Sequence, residues 1–367
     1  MLTFLLQSLD GPMNVFRYVT FRSASAFVTA LVVCYVAYPA FIGWLRTKRM
    51  EQIIRADGPQ EHIENKVGTP TMGGVVMLAG ITLAALLWGR IDEPRLWMVL
   101  IVTLGYGAIG FYDDWKKVME RTADGLAGRW KLFWQTAIGF AVFGVAYVTG
   151  VMDAQLHLPF FKHAIIDFAE LWPGAPDVLG WIYVLIGVFV LVGASNAVNL
   201  TDGLDGLAIG STITSAGTFA VLAYVAGHAE FSAYLGIPQI AGAGELSVFS
   251  LAIVGAGLGF LWYNCYPAQI FMGDVGSLAL GGALGALAVI TKHEMLLALV
   301  GGIFVMETLS VIAQVFWFKR TGKRLLKMAP IHHHFEKVGW SEPKIIVRFW
   351  IISALLAVVA LSTLKLR

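Results

Sequence analysis

Three short segments carry side chains whose types and spacing could do chemistry together. Asp113-Asp114-Trp-Lys-Lys117 sets two carboxylates side by side. On a helix, Lys117 lies at i+4 from Asp113 and i+3 from Asp114, on one side. Neighbouring carboxylates repel, so both stay ionised only beside a cation or a metal. Asn199-Leu-Thr-Asp202-Gly203-Leu204-Asp205-Gly206 brings two more acids into a glycine-rich turn, whose backbone a ligand can approach closely. Phe271-Met-Gly273-Asp274-Val-Gly276-Ser277 leads into an apolar run, and its backbone amides at a helix start suit an oxygen anion. Hard oxygen ligands without Cys or His favour Mg²⁺ or Mn²⁺ over Zn²⁺. Mg²⁺ usually binds one or two carboxylates together with substrate phosphates. The three segments therefore point to metal-assisted phosphoryl transfer on a diphosphate.

Two further segments carry basic and polar side chains. Lys66-Val-Gly-Thr-Pro-Thr71-Met-Gly-Gly74 precedes an apolar run, and His332-His333-His334-Phe-Glu336 lies in a long polar connection. Three consecutive histidines can hold a metal, contact an anion or be an accident of sequence. Adjacent side chains diverge, which makes three ligands to one ion awkward, so anion contact by one or two of them is the favoured reading. Glu307, inside an apolar run, reads as a hydrogen-bonded contact between helices.

The elements that must position these groups are membrane helices. Of 367 residues, 57% are hydrophobic and 14% charged, with mean hydropathy +0.72. A water-soluble fold has nowhere to hide that much apolar surface. The composition excludes a disordered chain, a basic nucleic-acid-binding domain and almost any soluble enzyme. The net charge of +2 says nothing about partners. Two cysteines, Cys34 and Cys265, make a disulfide framework unexpected. Met1 to Asp10 lacks the basic start of a cleaved signal.

A crossing takes roughly 20 apolar residues. The hydropathy predicts ten spans, at 24–45, 72–89, 96–112, 132–150, 179–195, 203–226, 246–263, 276–290, 296–318 and 345–364. The eighth is the weakest, being short and Gly-rich. No internal repeat is visible, and the chain reads as one all-α domain over 1–367. Of 26 Lys and Arg, 17 fall in connections on one side, which the positive-inside bias makes cytoplasmic. Both termini are then periplasmic. An ionised Asp at mid-membrane costs about 2.5–3.5 kcal/mol, so acids near span ends need a reason. Asp113 and Asp114 close the third span. Asp202, Asp205 and Asp274 sit in two further cytoplasmic connections that contain no Lys or Arg. Such acids can simply solvate loop ends. Five from three connections on one face favour a shared site at a cytoplasmic mouth. Asp274, in a Gly-flanked turn with no cation near it in sequence, is the expected direct metal ligand.

Taken together, these motifs resemble the polyprenyl-phosphate N-acetylhexosamine-1-phosphate transferases. Within them the chain looks like the bacterial phospho-N-acetylmuramoyl-pentapeptide transferases, the MraY family. The resemblance runs from Gly68-Thr-Pro-Thr-Met-Gly-Gly74 to the last span, and the order of the motifs is its most specific part. It implies ten transmembrane helices in a bacterial inner membrane and a homodimer. It implies Mg²⁺-dependent transfer of phospho-MurNAc-pentapeptide from its UDP carrier to undecaprenyl phosphate, giving lipid I and UMP. It implies catalytic roles for Asp113, Asp114, Lys117, Asp274 and His332. It implies substrate contacts from Lys66, Thr71, Lys131, Asn199, Asp202, Gly203, Leu204, Asp205, Asn264, Phe271, His333 and His334. Of these, Lys66, Asn199, Gly203, Leu204, Asp205 and Phe271 would build a uridine pocket.

Because the acceptor phosphate must reach Asp113 while its isoprenoid stays in lipid, an apolar groove is expected in the cytoplasmic half of the bundle. Two orders of chemistry fit: attack by Asp113 or Asp114 on phosphorus with a covalent intermediate, or direct attack by the lipid phosphate. With a second pKa of about 6, that phosphate is already mostly dianionic and hardly needs a base, which favours direct attack. Two rival readings are a sister enzyme moving GlcNAc-1-phosphate onto the same lipid, and a lipid or ion transporter. The histidine run and the Pro70–Gly74 segment look more like the muramoyl branch, and the absence of repeats speaks against a transporter.

Overall fold

The computed structural model describes residues 12–48, 50, 68–122, 124–158, 165–171 and 176–365. Lys66, assigned to the substrate from sequence, lies outside them. The described chain forms an all-α bundle: α1 (Val19–Thr47), α2 (Gly74–Trp88), α3 (Pro94–Glu120), α4 (Gly128–Val148), α5 (Pro176–Thr201), α6 (Leu207–Gly227), α7 (Ala229–Leu235), α8 (Gly244–Asn264), α9 (Gly273–Ile290), α10 (Glu294–Val300), α11 (Gly302–Thr321), α12 (Ile331–Val338) and α13 (Glu342–Ser362). Between α4 and α5, a short antiparallel hairpin pairs β1 (Gln155–His157) with β2 (Ile165–Asp167). Among the described residues nine helices are long and apolar enough to cross a membrane, and α2 is a shorter apolar helix. The protein is an integral, multi-pass membrane protein.

The expected spans all fall on helices, with four differences. The eighth, read as the weakest, is the full 18-residue α9, buried from Val275 to Ile290. Its small residues are the reason. A Cβ at Gly281 would lie 2.6 Å from the Ala194 oxygen, one at Gly282 2.7 Å from the Tyr106 ring, and one at Gly285 2.9 Å from Leu191 Cα. Glycine there lets α3 and α5 close onto α9, the usual device for tight packing in lipid. The short span is instead the second: the 15 residues of α2 rise only about 22 Å. The ninth is broken at Gly301-Gly302 into α10 and α11, because two glycines in a row weaken helix continuity. The third does not stop at Asp113. Hydropathy marks where lipid ends, whereas helical hydrogen bonding continues two turns further, to a left-handed Arg121.

α9 is the hub, packed on α3 and α5 and touching α2 and α6; α1 packs on α8 and α2, α8 on α6, and α13 on α6. The C-terminal ends of α3, α5 and α8 and the N-terminal ends of α4, α6, α9 and α13 therefore meet at one end of the bundle.

Candidate active site

At that end the three acids Asp113, Asp114 and Asp274 converge, each offering a carboxylate oxygen within 4.8 Å of the others. Asp113 and Asp114 sit in the last third of α3, and Asp274 is the second residue of α9. Gly273 makes this approach possible. Its φ of +75° is left-handed, and a Cβ there would overlap Asp114 Oδ2. Gly110 does the same for α3, since any Cβ would strike the Asp274 backbone. Asp114 Oδ2 accepts the backbone N–H of Val275 at 3.1 Å, so its orientation is set by the first turn of α9.

Two lysines enter the same space. Lys117 Nζ lies 2.6 Å from Asp113 Oδ2, 3.3 Å from Asp274 Oδ2 and 3.8 Å from Asp114 Oδ1. Lys131 Nζ lies 2.9 Å from Asp113 Oδ1 and 2.6 Å from Asp274 Oδ2. Asp113, fully buried, also accepts the N–H of Leu126 at 2.6 Å, which ties the 121–127 connection onto the cluster. Asn199, near the end of α5, donates to Asp274 Oδ1 at 2.9 Å and to Ser277 Oγ at 2.8 Å. Three carboxylates against two ammonium groups leave one formal negative charge in excess. The all-oxygen donor set and that excess fit a hard divalent cation, and the cluster can hold a metal ion.

The absence of a cation beside Asp274 in the sequence does not carry into space. Lys117 and Lys131 arrive from α3 and α4 and ion-pair with it.

The Asp202–Asp205 turn adjoins the cluster through Asn199, whose carbonyl accepts the Asp202 N–H at 3.2 Å. Gly203 packs on His332. Leu204 is buried in a small apolar cluster with Leu207, Ile303, Ile345, Ile346 and Phe349. Asp205 Oδ2 accepts the Ala268 N–H at 2.9 Å, and its own N–H donates to Glu342 Oε1 at 2.9 Å. Asn264 accepts from Gly206 N at 2.9 Å and donates to the Ile270 carbonyl at 2.8 Å. Asp205 and Asn264 thus brace the 202–206 and 265–270 connections against each other. Half-buried Phe271 and buried Thr71 are brought together by main chain. Phe271 N–H donates to the Pro70 carbonyl, and Gly73 N–H to that of Phe271, both at 2.8 Å.

The histidine run forms the first turn of α12 and its side chains diverge. His332 is fully buried with Nδ1 3.1 Å from Glu307 Oε2, whereas His333 Nδ1 is 2.6 Å from Glu336 Oε2. His334 Nδ1 accepts the Lys327 N–H at 3.2 Å. None of the three joins the acid cluster found among the described residues.

Sequence spacing carried no signal for Lys131, which came from the resemblance alone. A seven-residue connection from α3 does return α4 antiparallel, and that places its first turn beside Asp113. The polar layer beneath the cluster was missed. Gln135 Nε2 donates to Ser195 Oγ at 3.2 Å, and Asn196 Nδ2 donates to Gln135 Oε1 at 2.9 Å. Polar residues inside apolar runs were the available sign. An apolar groove of about 560 Å³ also runs between α2 and α3, lined by residues including Leu78, Leu83, Leu104, Phe111 and Val275.

The glycosyl transferase family 4 model matches residues 96–292, which hold the acid cluster, both lysines and the glycine-rich turn. Three curated proteins named phospho-N-acetylmuramoyl-pentapeptide-transferase are similar to the chain. That of Pelobacter propionicus is 55% identical over the full length of both chains. Those of Syntrophus aciditrophicus and Granulibacter bethesdensis are 54% and 52% identical, each over 96% of both. With an acid cluster, a family model over more than half its length and full-length relatives in agreement, the chain belongs to the phospho-N-acetylmuramoyl-pentapeptide-transferase family.

Proposed function

We propose that the protein transfers phospho-MurNAc-pentapeptide from UDP-MurNAc-pentapeptide to undecaprenyl phosphate, releasing UMP and forming lipid I for peptidoglycan synthesis. The observation that carries this reading is the Asp113–Asp114–Asp274 cluster with Lys117 and Lys131, held at one end of a bundle of membrane helices. That end collects the Lys- and Arg-rich connections, which supports a cytoplasmic site, where a UDP-linked substrate is found. A bacterial inner membrane, ten crossings with both termini periplasmic, and a homodimer belong to the same proposal.

In the transfer, an oxygen of the lipid phosphate bonds to the sugar-linked phosphorus of the diphosphate. The bond from that phosphorus to the bridging oxygen breaks, and UMP leaves with the electron pair. Lys117 and Lys131 bring positive charge to where the phosphates must meet, and such fixed charge is the main lever in phosphoryl transfer. Asp113, with both oxygens engaged by lysines and one also by Leu126 N–H, is placed to position groups. A carboxylate so occupied is a poor nucleophile, which supports direct attack by the lipid phosphate. Asp274, Asp113 and Asp114 would hold Mg²⁺, with Mn²⁺ as a substitute; when bound, it neutralises charge on the diphosphate. Phe271 would stack on uracil, and the Asp202–Asp205 turn would present its backbone to the nucleotide. The apolar groove between α2 and α3 supports a seat for the isoprenoid tail, since Val275 in its wall follows Asp274 directly.

Purified protein given UDP-MurNAc-pentapeptide, undecaprenyl phosphate and Mg²⁺ should release UMP and form a lipid-linked phosphosugar. Release with UDP-GlcNAc instead would indicate the sister reaction, and no UMP with either would defeat the reading.

A further inference from the structure

We infer that Glu307 and His332 form a positioning pair that props the Asp202–Asp205 turn beside the acid cluster, an inference that rests on the transferase reading above. Glu307 lies in α11 and His332 opens α12, and both are fully buried. His332 Nδ1 is 3.1 Å from Glu307 Oε2, at ion-pair distance, and the His332 N–H points to the same oxygen at 3.5 Å. A carboxylate inside a membrane bundle needs such a partner. The other edge of the ring meets the turn. A Cβ at Gly203 would overlap His332 Nε2 and lie 2.9 Å from Cε1. Glycine is therefore demanded at 203 by the imidazole pressed against its main chain.

From there the contacts run on to the reacting centre. Gly203 N–H donates to Thr201 O at 2.9 Å, Asp202 N–H to Asn199 O at 3.2 Å, and Asn199 Nδ2 to Asp274 Oδ1 at 2.9 Å. Ile303, one turn before Glu307, packs with Leu204 of the same turn. α11 thus reaches the turn directly through Ile303, and at one remove through Glu307 and His332. Glu307 Oε1 and both ring nitrogens of His332 have no hydrogen-bond partner among the described residues, so the side chains meet by proximity of charge and the hydrogen bond between them is that of the His332 N–H. On this account His332 acts on the turn that receives the UDP-linked substrate, through Gly203, and Glu307 acts through His332.

The test uses full-length protein in detergent and reads kcat and KM for UDP-MurNAc-pentapeptide by UMP release. Gly203→Ala should raise KM about tenfold or more with a smaller fall in kcat, because the clash shifts the turn. Adding His332→Ala to Gly203→Ala should recover part of that loss, because the overlapping ring is gone. Glu307→Gln, which keeps an oxygen for the His332 N–H, should retain most of kcat/KM, and Glu307→Ala should lose about tenfold through KM. A double variant no better than Gly203→Ala, or Glu307→Ala matching wild type, overturns the inference. If Gly203→Ala yields no folded protein, the two Glu307 variants decide alone. Wild-type protein that releases no UMP in the same assay defeats the transferase reading instead.

Discussion

Lysines meet carboxylates at both ends of α9, yet the two arrangements differ in kind. Beyond its C-terminal end, Lys292 meets Asp153 Oδ1 at 2.5 Å and the carbonyls of Asp153 and Gln155 at 2.9 and 3.1 Å, with the Tyr183 ring 3.9 Å beneath. Three ammonium protons find three oxygens, and nearby Glu294 accepts from the Tyr183 hydroxyl. At the N-terminal end two lysines are shared among three carboxylates, with one negative charge in excess. The first arrangement gives all three protons of its single lysine an acceptor and fastens the β1–β2 hairpin to the bundle. The second gathers three carboxylates that can hold a metal ion. A cluster of charges does not by itself mark a site; what distinguishes the N-terminal end is three carboxylates converging within reach of one ion, with two lysines shared among them.

The largest effect should come from removing an acid at the N-terminal end. Asp274→Ala should lower turnover by about 10³-fold or more, with the thermal unfolding midpoint little changed. Near-normal turnover at saturating Mg²⁺ would show that Asp274 is not a metal ligand. Lys131→Met should cost about 10²–10³-fold, because one ammonium then faces three carboxylates. Its counterpart Lys292→Met should leave kcat/KM unchanged and lower the unfolding midpoint by several degrees, read by thermal denaturation in detergent. Equal losses of activity in the two lysine variants would erase the distinction.

Smaller effects sharpen it. Phe271→Ala should weaken binding of a uridine nucleotide by about 1–3 kcal/mol, measured by calorimetry, if its ring stacks on uracil. At the Lys292 end, burial pushes the Glu294 carboxyl up from an ordinary 4.5 to about 7, and the same burial lowers Lys292. Between those two values the folded protein holds a proton that the unfolded chain has lost. Its stabilising contribution is complete below about pH 4.5 and is lost as pH rises through about 7. Glu294→Gln should flatten that part of the stability profile, followed as unfolding midpoint against pH. An unaltered slope would exclude Glu294 as its source.

One side of this contrast, the acid cluster, was legible in the sequence; the other was not. Hydropathy located the membrane helices, and lysine and arginine counts put Asp113, Asp114 and Asp274 on one face, where the fold brings them together. Asp202 and Asp205 were read with them, but the fold places them in a neighbouring turn, and Asp205 is engaged with Ala268. Pairings between distant helices were not legible. Lys131 with Asp274, Glu307 with His332 and Lys292 with Asp153 depend on which helices are neighbours, and hydropathy does not carry that. The break at Gly301 and the depth of α9 were obscured because a glycine-rich apolar run reads as weak, whereas small side chains are what let α9 sit at the centre.

The central claim is that the acid cluster aligns two phosphates for one direct transfer. The most direct test follows UMP from delipidated enzyme mixed with UDP-MurNAc-pentapeptide and Mg²⁺, before and after undecaprenyl phosphate is added. The account predicts no UMP until the lipid is present, then release matched one for one by lipid-linked phosphosugar. A stoichiometric burst of UMP before the lipid, with phosphosugar trapped on Asp113 or Asp114, would contradict it.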